Sequence, residues 1–171
     1  MVALKPKGYK LMLDKLRTYG YVEIVDTNVT DLISKLPPLG EWIKNPKFDM
    51  ETPKSVDLTQ AHRYIGKTYV EPIATILDYG YSNLWNKSDE PSMEWHNDLV
   101  EGCNLFFMYY LSDVTKGGEL MFRVNNTPTG IIQPKKDLLV MASQEEHVEH
   151  KVNFTDQTRI ACNFGFNVEW T

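Results

Sequence analysis

The stretch Leu105-Phe106-Phe107-Met108-Tyr109-Tyr110-Leu111 is apolar at all seven positions, the longest such run in the chain. Read with the two-residue period of a strand, it puts Phe106, Met108 and Tyr110 on one face and Leu105, Phe107 and Tyr109 on the other. A strand that is apolar on both faces must be covered on both. Its surroundings say by what. From about residue 76, short segments rich in β-branched and aromatic residues alternate with turn signals. Strands are expected near 77–85, 94–99, 103–112, 119–124, 130–133, 137–142, 147–154 and 159–168. The turns between them carry Gly102, Lys116-Gly117-Gly118, Asn125-Asn126 with Pro128, Pro134 and Thr155-Asp156-Gln157. Eight short strands after a helical start predict a mainly β fold with flanking helices. This is a cupin-like jelly roll, or double-stranded β-helix, with the N-terminal helices packed outside it.

The first 75 residues read as helical or mixed support for a core over 76–171. Leu11, Leu13, Leu16 and Tyr19 recur at near-helical spacing, and Gly20 is placed to stop that helix. Residues 21–25 read as a short strand. Asn28 and Thr30 are candidate N-caps for a helix over 31–35, ended by Pro37-Pro38. Residues 40–58 are rich in turn formers and resist assignment, and 59–70 reads as a further helix.

The chain has 171 residues, enough for one domain with its own core. Its composition is 42% hydrophobic and 24% charged, which excludes disorder, collagen and coiled coil. The seven-residue run is too short to span a membrane, and the N-terminus lacks a signal peptide's apolar segment. A net charge of −5 argues against a nucleic-acid binder. Cys103 and Cys162 are too few for a disulfide framework or a zinc cage and read as inert core thiols. These features predict a cytoplasmic protein.

The chemistry is expected from histidines. In an extended chain His96 and Asp98, in His96-Asn97-Asp98, face the same way. One more His from a distant strand would complete two imidazoles and a carboxylate on one face of a metal, the facial triad of non-haem Fe(II) oxygenases. His147 and His150 are the candidates. Three apart, they face opposite ways on a strand. His147 shares its face with Glu145, Glu149 and Lys151, and His150 is read with Val148, Val152 and Phe154. That pattern favours His150, with His147 the alternative. Nine residues beyond His150, after a turn expected to close a hairpin, Arg159 shares its face with Ala161, Asn163 and Gly165. These are small or polar, so the guanidinium has room to hold a carboxylate in a bidentate fork.

Residues 94–167 resemble the Fe(II)/2-oxoglutarate-dependent dioxygenases, within them the prolyl-hydroxylase-like branch. The resemblance rests on six loose motifs in order: His96-Asn97-Asp98, Tyr109-Tyr110-Leu111, Gly117-Gly118-Glu119-Leu120 with Phe122, Pro134-Lys135-Lys136-Asp137-Leu138-Leu139-Val140, His150-x-Val152, and Arg159. It implies that His96, Asp98 and His150 ligate Fe(II), that Arg159 binds the distal carboxylate of 2-oxoglutarate, and that the Tyr110 phenol bonds the same carboxylate. It also implies that Asn163 lines that pocket. The activity implied is hydroxylation of a C–H bond with dioxygen, coupled to decarboxylation of 2-oxoglutarate to succinate, on a peptide or small-molecule substrate. Two features depart from the pattern. Ala161 stands where relatives often carry a hydroxyl, and residues 86–93, which in relatives help cover the substrate, are short and polar.

Two other readings use the same barrel: a cupin-like metal enzyme that does not take 2-oxoglutarate, for which Arg159 and Tyr110 would be superfluous, and a non-catalytic jelly-roll binding module, for which a complete triad would be. A nucleic-acid demethylase is disfavoured by the charge. Trp85 and Trp95 flank the His96 strand, as mouth or core residues. His62 reads as a helix-surface residue, and Gly117-Gly118 as a tight turn, since no Lys-Ser or Lys-Thr and no helix follows it.

Overall fold

The computed structural model describes residues 6–33, 41–45, 50–87, 92–98 and 102–171. Ten strands are found among them. They are β1 (Tyr21–Val25), β2 (Trp42–Asn45), β3 (Met50–Pro53), β4 (Ala74–Lys87), β5 (Leu105–Tyr110), β6 (Leu120–Val124), β7 (Thr127–Ile132), β8 (Leu138–Ser143), β9 (Val148–Val152) and β10 (Arg159–Trp170). The helices are α1 (Pro6–Tyr19), α2 (Asn28–Leu32) and α3 (Thr59–Ile65), which runs into a π-helical turn, Gly66–Val70. A seven-stranded sheet has the order β1-β8-β5-β10-β4-β3-β2, and a three-stranded sheet the order β7-β6-β9. All pairings are antiparallel. The expected jelly roll is what forms.

The two apolar faces of β5 belong to two cores. Leu105, Phe107 and Tyr109 join Cys162, Phe164, Phe166, Leu139 and Met141 in an outer core closed by Met12 and Leu16 of α1, Val29 of α2, and Ala61 and Ile65 of α3. Phe106, Met108 and Tyr110 face Leu120, Phe122, Ile132, Val148 and Val152 of the smaller sheet in an inner core. The helices therefore cover the larger sheet from outside, as the doubly apolar strand requires. Alternation in β10 follows the same rule: Ala161 is inner, while Cys162, Phe164 and Phe166 are outer.

The N-terminal region departs from its reading in several places. Met12 and Leu16, one helical turn apart, carry α1 into the core, whereas Leu11 is 57% exposed. Gly20 ends the helix as expected, in the left-handed region at φ 83°, with its N–H on the Leu16 carbonyl at 2.9 Å. α2 starts at Asn28, three residues early. Its N-cap residue is Thr27, and the Asn28 N–H is received by Asp26 Oδ1 at 2.9 Å. Pro37 and Pro38 lie outside the described residues. The unassigned stretch 40–58 contains β2 and β3, which extend the larger sheet at one edge, while β1 extends the other.

His62 is not a surface residue. It is buried under β10, with Nε2 3.0 Å from the Gly165 carbonyl and its ring edge-on to Phe166 at 4.6 Å. A polar ring of this size can close a core provided its nitrogen finds a carbonyl. The hairpin expected between β9 and β10 is also absent. β9 pairs with β6 in one sheet and β10 with β4 and β5 in the other, so the 153–158 turn crosses between sheets. Phe154, read with the core face, lies past the end of β9 and is 56% exposed. Among the described residues no helix is long and apolar enough to cross a membrane.

Candidate metal centre

His96, Asp98 and His150 meet. Their candidate ligand atoms all lie within 4.8 Å of one another, the only such group among the described residues. His150 Nε2 is 3.1 Å from Asp98 Oδ2, and His96 Nε2 is 3.7 Å from Asp98 Oδ1. β9 turns His150 inward between Val148 and Val152, against Phe106 at 5.6 Å and Phe122 at 6.0 Å. His147 precedes β9, is 42% exposed, and faces Glu145 at 3.6 Å. Val148 and Val152 are buried as the two-residue period expects, and His150 shares their face.

The segment carrying His96 and Asp98 is not the strand expected over 94–99. It meets β9 in an isolated bridge: the His96 N–H bonds the His150 carbonyl at 3.1 Å and the His150 N–H bonds the His96 carbonyl at 2.9 Å. The two histidines are thus backbone partners, which brings their rings to 4.5 Å. Residue 99 lies outside the described residues. The tautomer of His96 is set by the Glu94 carbonyl, 2.7 Å from Nδ1. A proton on Nδ1 leaves the Nε2 lone pair for a cation. Asp98 is steadied by its N–H on Gln144 Oε1 at 3.0 Å. Gln144 is almost wholly buried. Sequence reading missed it, since a side chain reaching a backbone amide 46 positions away leaves no local pattern. The hydrogen bond from His150 holds the Asp98 carboxyl below its ordinary range, against the opposing effect of burial. It is therefore an anion at neutral pH. Two imidazoles and one carboxylate suit a divalent transition ion.

Arg159 opens β10 on the inner face and is only 2% exposed, its guanidinium 4.7 Å from the Trp85 ring centroid. Trp85, placed by the sequence at either mouth or core, is an inner-core residue. Ala161 pairs with Tyr110 on one side and with Trp85 on the other, so Arg159, Tyr110 and Trp85 line one wall. Asn163 follows on that face, paired with Met108. The buried Trp85 Nε1 and Asn163 Oδ1 find no hydrogen-bond partner. Buried polar atoms left unsatisfied by the protein call for another partner, such as an ordered water or a polar ligand. A buried guanidinium on the same wall fits a carboxylate-bearing one.

No family model matches the sequence, and no curated protein matches it. Solved structures do match the fold. A prolyl hydroxylase from Trichoplax adhaerens, solved with a peptide fragment of the hypoxia inducible factor oxygen degradation domain, matches over 95% of this chain and 90% of its own, with a TM-score of 0.62 and 14% identity. A prolyl-4-hydroxylase from Pseudomonas putida matches over 94% and 99%, with a TM-score of 0.59 and 14% identity. An oxidoreductase of the 2OG-Fe(II) oxygenase family from Burkholderia pseudomallei matches over 96% and 91%, with a TM-score of 0.64 and 13% identity. The fold is that of the 2OG-Fe(II) oxygenases. Within the shared fold, His150 lies on the inner face of the smaller sheet, with His96 and Asp98 beside it, and Arg159 on the inner face of the larger one.

Proposed function

We propose that the chain is an Fe(II)- and 2-oxoglutarate-dependent dioxygenase that hydroxylates a C–H bond. The observation that carries this reading is the convergence of His96, Asp98 and His150 in a barrel whose inner wall also bears the buried Arg159. In this reading His96 and His150 give Nε2 and Asp98 one carboxylate oxygen to the iron. A facial set of three ligands leaves the other positions to 2-oxoglutarate and dioxygen, which supply the oxidising chemistry when bound. The chain's own part is geometry and polarity. Arg159 takes the distal carboxylate in a two-pronged bond, the Tyr110 hydroxyl supplements it, and Asn163 and the Trp85 N–H offer further polar contacts. Phe106 and Phe122 keep water away from the His150 side.

The cupin-like alternative gives no purpose to a buried arginine on that wall. The peptide bound in the Trichoplax adhaerens structure makes a peptide a reasonable first substrate to offer, with small molecules as the second set. The 171 residues form one oxygenase domain in this reading, and the buried thiols Cys103 and Cys162 suit the reducing cytoplasm. The test is anaerobic calorimetry of 2-oxoglutarate against the Mn(II)-loaded protein, followed in air by succinate production. Saturable binding that requires Mn(II) and Arg159 is expected. Metal binding with no 2-oxoglutarate binding would replace this reading by the cupin-like one.

A further inference from the structure

The segment 92–98 carries two of the three ligands in the reading above, yet it belongs to no strand. Its backbone meets β9 at three bonds: the reciprocal His96–His150 pair, and the Met93 N–H on the Val152 carbonyl at 2.9 Å. So short an attachment does not by itself hold an imidazole in one orientation. A side-chain device lies on the opposite face of the sheet from the triad. Phe122 and His150, paired between β6 and β9, point inward. Arg123 and Glu149 are the next pair, and Met121 and Lys151 the pair on the other side, so these four face outward. Trp95, adjacent to His96, turns the same way. Its ring lies 4.7 Å from the Arg123 guanidinium carbon and 5.1 Å from Lys151 Nζ. Arg123 is itself fixed by Glu149, with Nε 2.7 Å from Oε2. Two cations on two strands therefore engage one indole, and the indole is joined by a peptide bond to a histidine of the triad.

We propose that Trp95 is a positioning residue. Held by Arg123 and Lys151 on the outside of the smaller sheet, it fixes the 92–98 segment against β9 and so aims His96 into the barrel. The proposal rests on the metal reading for its consequence, but the positioning itself is a property of the metal-free chain. Cation–π contacts are attractive within about 6 Å of an aromatic centroid and strongest for tryptophan. Both contacts here meet that distance. The strands that bear Arg123 and Lys151 are laddered to each other, so the clamp is anchored on rigid elements and acts on the least bonded one. Glu149 keeps the longer lever, Arg123, from swinging away.

The test uses Trp95→Ala, Trp95→Phe and the double variant Arg123→Met with Lys151→Met, which keeps the apolar stems and removes both cations. Amide hydrogen exchange is read residue by residue in metal-free protein. In Trp95→Ala the His96 and Met93 amides are expected to exchange about tenfold faster, the size of losing two half-exposed cation–π contacts. The Tyr109 and Phe164 amides of the larger sheet should be unchanged. Mn(II) affinity should fall by a similar factor, Trp95→Phe should recover most of it, and the double variant should resemble Trp95→Ala. Unchanged exchange at His96, equal acceleration in the larger sheet, or a phenylalanine variant as weak as alanine would overturn the proposal. Wild-type protein that binds no Mn(II) would overturn the metal reading instead, and the exchange data would still decide whether Trp95 orders the segment.

Discussion

Tyr109 and Tyr110 are neighbours in β5 and both are wholly buried, yet they belong to different kinds of interior. Tyr109 points to the helices. Its hydroxyl lies 2.8 Å from Thr30 Oγ1, 2.8 Å from Asp137 Oδ1 and 2.9 Å from the Asp26 carbonyl. Asp26 in turn receives the Tyr69 hydroxyl at 2.6 Å, the Tyr64 hydroxyl at 2.8 Å and the Asn28 backbone at 2.9 Å. This network ties α2 and the π-helical turn to the larger sheet, and within it polar atoms are matched by polar atoms. Tyr110 points into the barrel, on the wall where Trp85 Nε1 and Asn163 Oδ1 are left unmatched. The outer interior closes a polar network on itself, and the inner one leaves polar atoms without a protein partner.

That contrast can be broken by mutation. The largest effect is expected inside. Asp98→Ala removes the only anion of the triad and should abolish measurable Mn(II) binding by electron paramagnetic resonance, with the melting temperature of the metal-free protein nearly unchanged. His150→Ala should follow it, whereas His147→Ala should bind metal normally. Next, Arg159→Ala should cost about 2–5 kcal/mol in 2-oxoglutarate binding to the Mn(II) form, because the ligand's carboxylate is left desolvated and unpaired. Arg159→Lys should restore part of this, as a point charge replaces a fork.

Outside, the sign of the experiment reverses. Asp26→Ala should leave metal and 2-oxoglutarate affinity unchanged while lowering unfolding free energy by about 2–4 kcal/mol in urea titrations, since buried tyrosine hydroxyls lose a charged acceptor. The pH dependence should follow. Burial alone raises the Asp26 carboxyl, but the hydrogen bonds from Tyr69, Tyr64 and Asn28 together outweigh it and leave it below the ordinary value. The unfolded chain then takes up this proton first. Asp26's contribution is full above the ordinary carboxyl range, near about 4, and is lost as pH falls through the lower native value. Asp26→Asn should flatten that acid limb.

Smaller still, Tyr110→Phe should weaken 2-oxoglutarate by about 1–2 kcal/mol with no change in acid stability. The smallest effect belongs to His62. Burial pushes its imidazole below the ordinary value, partly opposed by the Gly165 carbonyl. Below about 6.5 the unfolded chain binds more protons than the native one, so wild-type stability should decline as pH drops through that window. His62→Phe should remove that part of the slope.

How much of this was legible beforehand depended on whether the signal was local. The doubly apolar β5, the glycine stop at Gly20 and the choice of His150 over His147 follow from periods of two and 3.6 and needed no tertiary knowledge. Burial of His62 was not legible, because α3 is only seven residues long, Thr59, Gln60 and Arg63 beside it are exposed, and its carbonyl partner Gly165 lies 103 positions away. Nor was the crossing from β9 to β10, since a turn sequence at 155–157 reads the same whether the chain stays in one sheet or changes sheets. The triad was visible as residues, but its geometry was not. The expected strand around His96 reduces to a single bridge, and the parts that compensate, Gln144 and the Trp95 clamp, come from positions far apart in the chain.

Strand β10 has a further consequence, for synthesis. It is the last of the ten strands in chain order, yet it lies between β5 and β4 and is laddered to both. Without it the larger sheet is two separate pieces, β1-β8-β5 and β4-β3-β2, and the outer core lacks Cys162, Phe164 and Phe166. A growing chain on the ribosome therefore cannot complete this interior until β10 has emerged, and must carry exposed strand edges until then. Closure pairs residues some 80 positions apart, from Arg159 with Lys87 to Phe166 with Tyr79, and pairing across such separations slows folding.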